Sequence, residues 1–157
     1  MEPDPETRLR ELGLELPEVP APAGVYVPAI RAGDLIFTAG QLPFEAGELH
    51  VKGKVGDAVS VEEAHEAARL CTLNALAAVA ALTGGLAKIS SIVKVTGFVA
   101  SAPGFNRQPQ VLNGASEFLG EVFGEAGLHA RSAVGVAELP MDAPVEVELV
   151  VTTDPDA

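Results

Sequence analysis

Apolar and polar residues alternate with a period of two over two short runs near the end of the chain, at 130–137 and 145–151. A proline-rich turn separates the two runs. In the later run every odd-numbered residue is Val or Leu, and these share one face of a predicted strand. Glu146 and Glu148 therefore lie on the other face.

In the earlier run Arg131 shares a face with small residues, and Val134 and Val136 share the opposite one. We expect the valines of both runs to meet the hydrophobic core. The other face then carries small side chains, one guanidinium and two carboxylates, and we expect the chemistry there. Taken alone, Arg131 is more often half of a weak surface ion pair. Glu146 and Glu148 alone indicate only the polar side of a half-buried strand.

Two long helices carry apolar stripes at helical spacing. The first opens with a capping box at Ser60–Glu63 and runs to about residue 82, and the second spans about 109–123. A short helix is predicted after Asp4, its N-cap, with Pro5 at the first helical position. The stripes comprise Ala64, Ala67, Ala68, Cys71, Ala75, Ala78, Val79 and Leu82 in the first long helix, and Val111, Ala115, Phe118, Leu119 and Val122 in the second.

Three further strands are predicted at 25–30, 35–38 and 89–100. Residues 14–24 are rich in Pro and Gly and indicate an extended connector, and 44–58 indicate an irregular hairpin. Two strand–helix–strand units follow from this order. They imply parallel neighbouring strands with both helices on one face of the sheet.

The chain is predicted to hold a short N-terminal helix with its connector, at 1–24, and one domain at 25–157. Two long helices cover one face of a sheet and leave the other uncovered. We expect a second copy of the chain to cover it, with Arg131 and Glu146 at the subunit boundary. The residues expected on or near that second face are Ile92, Phe98, Ala133, Gly135 and Ala137.

Composition excludes several classes of function. The 157 residues carry a net charge of −12, which argues against sequence-independent nucleic-acid binding. The single cysteine, Cys71, lies in the first helical stripe and fits a buried thiol in a reducing, cytoplasmic setting. The three histidines lack metal-ligand spacing, and no apolar run indicates a membrane span or a signal peptide.

Four sequence motifs resemble those of a known family. ARSAVGVAELP at 130–140 and VEVE at 145–148 are similar to the C-terminal motif of the RidA/YjgF family, the reactive-intermediate deaminases. FTAGQLP at 37–43 resembles its second-strand motif, and LNGASEF at 112–118 resembles its second helix. The similarity spans 25–152 in the element order of the family.

The resemblance implies an α+β, chorismate-mutase-like fold, with a mixed sheet and two helices on one face. It also implies a homotrimer with three clefts between subunits, and a last strand that inserts elsewhere in the sheet instead of pairing with the strand before it. The N-terminal helix and the loop SAPGF at 101–105 resemble a longer, poorly characterised branch of the family.

By match to these motifs, Arg131 would hold a substrate carboxylate and Glu146 would position the attacking water. A guanidinium grips a carboxylate with two parallel hydrogen bonds, and a carboxylate draws a proton from water. No cofactor and no metal are implied. The residues expected to contact the substrate are Tyr26, Gly40, Gln41, Phe105, Asn113, His129 and Ala133.

The resemblance implies hydrolysis of 2-imino or enamine acids to 2-keto acids and ammonia. The chain departs from the deaminase branch at Ala133, where a cysteine is usual, and at Ala39, where a serine is usual. One alternative is therefore a trimer that binds a small carboxylated metabolite without catalysis. Another is the endoribonuclease or translation-inhibitor activity ascribed to some members, which the net charge disfavours.

Overall fold

The computed structural model describes residues 3–19, 21–22 and 24–154 and has an α+β architecture. Three 3-10 turns, at Leu86–Lys88, Gly124–Gly127 and Pro140–Asp142, join its larger elements. The helices and strands are α1 (Pro5–Glu11), β1 (Ala29–Ala32), β2 (Leu35–Thr38), α2 (Val61–Thr83), β3 (Ile89–Ala100), α3 (Gln108–Phe123), β4 (Ala130–Val136) and β5 (Val145–Thr153).

The predicted helix starts are confirmed by their caps. Asp4 Oδ1 accepts a hydrogen bond from the Thr7 amide at 3.1 Å, so α1 begins at Pro5 as expected. At α2 the Ser60 hydroxyl accepts from the Glu63 amide, and the Glu63 carboxylate accepts from the Ser60 amide. Both helices therefore begin where their sequence motifs place them.

Within the described residues the sheet has five strands, in the order β1-β2-β5-β3-β4. Only β3 and β4 pair in parallel, and the other neighbours are antiparallel. The β3–α3–β4 unit thus gives parallel neighbours as predicted. The unit built on α2 does not, because β5 pairs on both sides and separates β2 from β3. The last two strands are likewise not a hairpin, as the family resemblance implied.

The first predicted strand is shorter than expected. It was placed at 25–30, but β1 begins at Ala29. Proline lacks an amide N–H, so Pro28 contributes no donor to the ladder with β2. Its carbonyl instead accepts from the Ala39 amide at 2.8 Å. Residues 24–28 therefore lead into the sheet without belonging to it.

The core lies between α2, α3 and one face of the sheet. The apolar stripes predicted for the two helices are buried, except that Leu82 is 46% exposed at the end of α2. By length and composition α2 could cross a membrane, but 67% of its apolar window is buried. The inner helix of a globular domain has the same property, and α2 lies against β5 and α3.

The orientation of β4 differs from the prediction. Its register places Arg131 beside Val95, which is fully buried on the helix side of the sheet. Glu146 pairs with Phe98 on the opposite face. The prediction that Arg131 and Glu146 share a face is therefore wrong.

The small residues of β4 explain this orientation. Ala133 and Gly135 face α3 and the loop before it, and a methyl group on Gly135 would come within 2.8 Å of Gln108 Nε2. The start of α3 can lie this close to β4 only if the strand presents small side chains. The valines of β4 consequently face away from the helices, and Val134 is 44% exposed.

The second face of the sheet is apolar, and the described part of the chain leaves it open. Phe37 is 41% exposed there and Ile30 59%, and Phe98 lies on the same face. Other residues expected on this face are elsewhere. Ile92 is buried in the core, Ala133 and Gly135 face the helices, and Ala137 lies beyond the end of β4.

Candidate functional site

Glu146 stands on β5 next to the backbone of Gly40. The Gln41 amide donates to the Val147 carbonyl at 2.8 Å, and the Val147 amide donates back at 3.0 Å. This bridge holds the segment after β2 beside β5. A methyl group on Gly40 would come within 2.7 Å of Glu146 Oε1, so the carboxylate occupies the space that glycine leaves free.

A cavity of about 60 Å³ lies beside Glu146, with room for a few water molecules or a ligand fragment of that size. It brings together four of the predicted site residues, Glu146, Gly40, Gln41 and Tyr26. Most of its other walls are apolar. They are formed by Ala21, Pro22, Pro28, Leu42, Phe44 and Pro140.

The surroundings of Glu146 favour its protonated form. Burial raises the pKa of the Glu146 carboxyl, and the nearby charge of Glu148 raises the same pKa further. A carboxylate with a raised pKa is a stronger base than one in water, so it takes a proton from water more readily. Glu146 therefore has the properties of a general base.

Arg131 lies on the helix side of the sheet, bound to α3. Its Nη1 donates to Asn113 Oδ1 at 2.9 Å and to Ser116 Oγ at 3.1 Å. Its Nη2 makes a longer contact, 3.4 Å, with the Pro109 carbonyl. Asn113 and Ser116 are three residues apart on α3, so their side chains share one face of that helix.

These hydrogen bonds determine which edge of the guanidinium is available. Both protons of Nη1 are taken by α3, since Nη1 carries two and donates two. The described residues provide no partner for Nε, and Nη2 keeps one proton free of Pro109. The edge left for a side-on carboxylate is therefore Nε–Nη2, where only the long contact with the Pro109 carbonyl competes.

The other predicted residues differ in position. Asn113 contacts Arg131 directly, and Ala133 lies on the same side of β4. His129 reaches Arg131 only through Ser116, because its two ring nitrogens bond to Ser116 Oγ and to the Gly127 carbonyl. Phe105 packs against the core beside Gly56. It contacts neither the residues around Glu146 nor those around Arg131.

Ser116 is a site residue that the sequence analysis missed. A serine on the polar side of a helix gives no signal on its own. The available clue was its spacing of three residues from Asn113, which matches a pocket position of the family. The structure shows its hydroxyl in contact with both Arg131 and His129.

Cys71, which the sequence placed in a buried helical stripe, is not available for chemistry. The Cys71 thiol is fully buried, donates to the Val145 carbonyl and has a pKa raised by burial first and by the Glu146 charge second. A thiol of this kind is unreactive. Among the described residues, no group of three or more His, Cys, Asp and Glu side chains is placed to hold a metal ion.

The N-terminal segment contributes to the Glu146 cavity. Glu6 Oε1 accepts from the amides of Leu86, at 2.6 Å, and Ala87, at 3.2 Å, and Leu9 is buried in the core. These contacts fix α1. The connector then supplies Ala21, which lines both the small cavity and a larger groove of about 790 Å³ beside it.

Within one chain the two groups of site residues do not meet. Glu146 faces the open side of the sheet, Arg131 faces α3, and β3 lies between their strands. A single chain thus presents two half-sites. We call them the Glu146 half-site (Tyr26, Gly40, Gln41 and Glu146) and the Arg131 half-site (Asn113, Ser116, His129, Arg131 and Ala133).

Comparisons with known proteins identify the family of the chain. Residues 6–152 match the YjgF/chorismate mutase-like family, whose description also carries the name endoribonuclease. Protein TCP17 of Trypanosoma cruzi is 42% identical over 144 residues, which cover 91% of this chain and 90% of that protein. A 2-iminobutanoate/2-iminopropanoate deaminase of Dermatophagoides farinae is 33% identical, covering 90% of this chain and 95% of the relative.

A solved structure extends the match to the whole fold. The crystal structure of Atu1372 from Agrobacterium tumefaciens, a protein of unknown function, superimposes with a TM-score of 0.87 at 48% identity. The alignment covers 96% of this chain and 92% of that one. With the family match over nearly the whole sequence, the chain belongs to the RidA/YjgF family, and its mixed sheet with two helices on one face is the chorismate-mutase-like fold of that family.

Proposed function

We propose that the chain hydrolyses small 2-imino acids, and the enamines in equilibrium with them, to 2-keto acids and ammonia. The observation that carries the proposal is the pair of half-sites. One holds an oriented guanidinium with a free edge, and the other holds a half-buried carboxylate with a raised pKa in a small cavity. A 2-imino acid needs both groups, since it has a carboxylate beside an electrophilic C=N carbon.

The reaction is a simple exchange of water for ammonia. Arg131 binds the substrate carboxylate and so orients the C=N carbon. Glu146 takes a proton from water as the oxygen adds to that carbon, which gives a tetrahedral carbinolamine. That proton passes to nitrogen, which completes the carbinolamine with its hydroxyl and amino groups. The hydroxyl proton is then transferred to the same nitrogen as the C–N bond breaks, so ammonia leaves and the keto group forms. Both protons of the water end on ammonia, and neither a redox step nor a cofactor is needed.

We further propose that each active cleft is built by two copies of the chain, in a homotrimer. The support is geometric, because Arg131 and Glu146 face opposite sides of one sheet and a second copy can bring the missing half to each. The open face carries exposed Phe37 and Val134, which a neighbouring copy would remove from water. A cyclic arrangement gives every copy the same two contacts.

The experiment couples an amino-acid oxidase to the chain and follows the decay of the transient 2-imino acid. Arg131→Ala and Glu146→Gln should each lower the accelerated decay at least about a hundredfold, since each removes one of the two groups that the reaction uses. Arg10→Ala and Glu62→Gln, at exposed positions on α1 and α2, are the matched controls and should retain wild-type rates. Wild-type rates in Arg131→Ala would contradict the proposal.

A second candidate is a trimer that binds a small carboxylate without catalysis. Ala133 favours it, because the deaminase branch usually has a cysteine at this position of the Arg131 half-site. The free Nε–Nη2 edge of Arg131 suffices for binding alone. This candidate predicts that 2-keto acids raise the melting temperature of the wild type but not of Arg131→Ala, while no imine decays faster than in buffer.

The endoribonuclease name carried by the family has less support in this chain. The net charge is −12, and phosphate binding depends on Lys and Arg. RNA cleavage that disappears in Arg131→Ala, at unchanged purity, would establish that activity. Cleavage that is equal in the two preparations would identify a contaminating nuclease.

A further inference from the structure

The side chains behind Arg131 form a continuous hydrogen-bonded chain. The Gly127 carbonyl contacts His129 Nδ1 at 2.6 Å, His129 Nε2 contacts Ser116 Oγ at 2.9 Å, and Ser116 Oγ accepts from Arg131 Nη1 at 3.1 Å. One end of this chain is backbone, and the other end is the group proposed to bind the substrate carboxylate.

The direction of each hydrogen bond follows from chemistry. A carbonyl only accepts, so Nδ1 of His129 carries a proton and donates it to Gly127. In the neutral ring Nε2 is then an acceptor, and the Ser116 hydroxyl donates to it. The Ser116 oxygen keeps its lone pairs for Arg131, which can only donate. Each donor in this series of hydrogen bonds therefore has an acceptor, and every bond is donated in the direction from Arg131 toward Gly127.

The backbone end of this chain is firmly packed. Gly127 is buried, and a methyl group on it would meet the backbone of Leu119 on α3. His129 lies between Gly127 and β4, so both ends of its short segment are held. The Ser116 oxygen is thus a fixed point, and together with Asn113 it takes both protons of Nη1.

We infer that Ser116 and His129 are a positioning pair for Arg131, which turns the Nε–Nη2 edge of the guanidinium toward the substrate carboxylate. The inference rests on the proposed role of Arg131 as the carboxylate-binding residue. Rotating the guanidinium to present Nη1 instead would break both hydrogen bonds to α3. The pair thereby sets the side-on direction from which the carboxylate is bound.

The same geometry resembles a nucleophile and its base. A serine within 2.9 Å of a histidine, whose other nitrogen is oriented by an acceptor, is the arrangement of hydrolytic serines. Arg131 argues against that use, because it donates a hydrogen bond to the oxygen that would attack and so lowers its nucleophilicity. The positioning role accounts for every hydrogen bond in the chain.

The test measures the binding of pyruvate and of pyruvamide, its neutral amide, by isothermal titration to the full-length protein. Ser116→Ala should weaken pyruvate binding about tenfold and leave pyruvamide unchanged, as expected for a lost hydrogen bond to a charged group. In the imine assay KM should rise by a similar factor, with kcat changed far less. Ser116→Thr, which keeps the hydroxyl, should restore wild-type values.

A second pair of variants, at His129, tests the hydrogen bond between His129 and Ser116. The glutamine amide oxygen can accept from Ser116, so His129→Gln should bind pyruvate better than His129→Phe, which provides no acceptor. Comparison of these two variants also covers the case in which Ser116→Ala fails to fold.

Several results would overturn the inference. Equal losses for pyruvate and pyruvamide would indicate a general structural role. Covalent labelling of Ser116 by a fluorophosphonate, together with a loss of kcat at unchanged KM, would assign it as a nucleophile. Wild-type binding in Ser116→Ala, with loss in Arg131→Ala, would refute the positioning pair alone. Equal pyruvate binding by wild type and Arg131→Ala would refute the carboxylate role of Arg131 and the pair with it.

Discussion

Glu146 is held in surroundings that oppose its charge. Burial and the neighbouring Glu148 raise its pKa in the folded chain above the ordinary value of 4.5. The native state therefore binds more protons than the unfolded state between 4.5 and the raised pKa. The free energy of unfolding falls as the pH rises through that window, and the penalty is fully present above it.

Glu146→Gln should therefore stabilise the protein at pH 8 while abolishing hydrolysis, because the amide is neutral at every pH. Well below the ordinary pKa of 4.5 the carboxyl is protonated in both states, and the difference in stability should vanish. Melting temperatures of the wild type and the variant at pH 8 and at such a low pH test this. A variant that melts lower than the wild type at pH 8 would contradict the described environment of Glu146.

Gly40 is the residue that makes room for the carboxylate. Gly40→Ala should displace Glu146 and lower kcat/KM at least about tenfold, since small misplacements of a catalytic group have effects of this size. Gly120→Ala is the matched control, because a methyl group at this exposed position of α3 meets nothing within 4 Å. It should raise stability by about 0.5–1 kcal/mol and leave the kinetics unchanged. Equal kinetics for the two variants would refute the close contact of Gly40 with Glu146.

Helix α1 packs against the rest of the domain through Leu9. Leu9 is 3% exposed and packs in the core, whereas Leu12 at the end of the helix is 36% exposed. Leu9→Ala should lower the free energy of unfolding by about 2–4 kcal/mol, as for other buried leucines. Leu12→Ala should change the free energy of unfolding by at most about 1 kcal/mol.

Urea denaturation of the two leucine variants measures the difference. Because the connector after α1 lines the Glu146 cavity, Leu9→Ala should also raise KM in the imine assay, and Leu12→Ala should not. Equal stabilities would show that α1 is dispensable for the fold.

The sequence predicted the elements better than it predicted their faces. Capping residues are local, so the starts of α1 and α2 followed directly from Asp4 and Ser60. The orientation of β4 could not be obtained in this way. Alternation shows that Val134 and Val136 share a face, but not whether that face meets helices or open space. On an edge strand approached closely by α3, the small residues face inward.

In the candidate site, too, local motifs could be identified from the sequence, whereas contacts created by tertiary packing could not. Arg131, Glu146, Gly40 and Asn113 were identified by motif, and the structure brings Asn113 to Arg131 and Gly40 to Glu146. Ser116 was missed because it is recognised only as a member of the hydrogen-bonded chain from Gly127 through His129 and Ser116 to Arg131. Only the packing of α3 against β4 creates that chain.

On the scale of the whole molecule, the proposed reaction needs Arg131 and Glu146 in one cleft, and a single chain holds them apart. The two half-sites point away from each other across a sheet, and the open face carries exposed Ile30, Phe37 and Val134. Apolar surface of this kind on a sheet is typical of a protein interface. The homotrimer remains a prediction, and it explains both features together.

The most direct test mixes two inactive variants, Arg131→Ala and Glu146→Gln. Each keeps the half-site that the other lacks. If a cleft takes Arg131 from one copy and Glu146 from its neighbour, an equal mixture, unfolded and reassembled together, contains intact clefts at about one quarter of all interfaces in a cyclic oligomer. The account predicts about that fraction of wild-type imine hydrolysis. No activity in the mixture, when wild type treated alike recovers, would show that the two residues do not act across an interface.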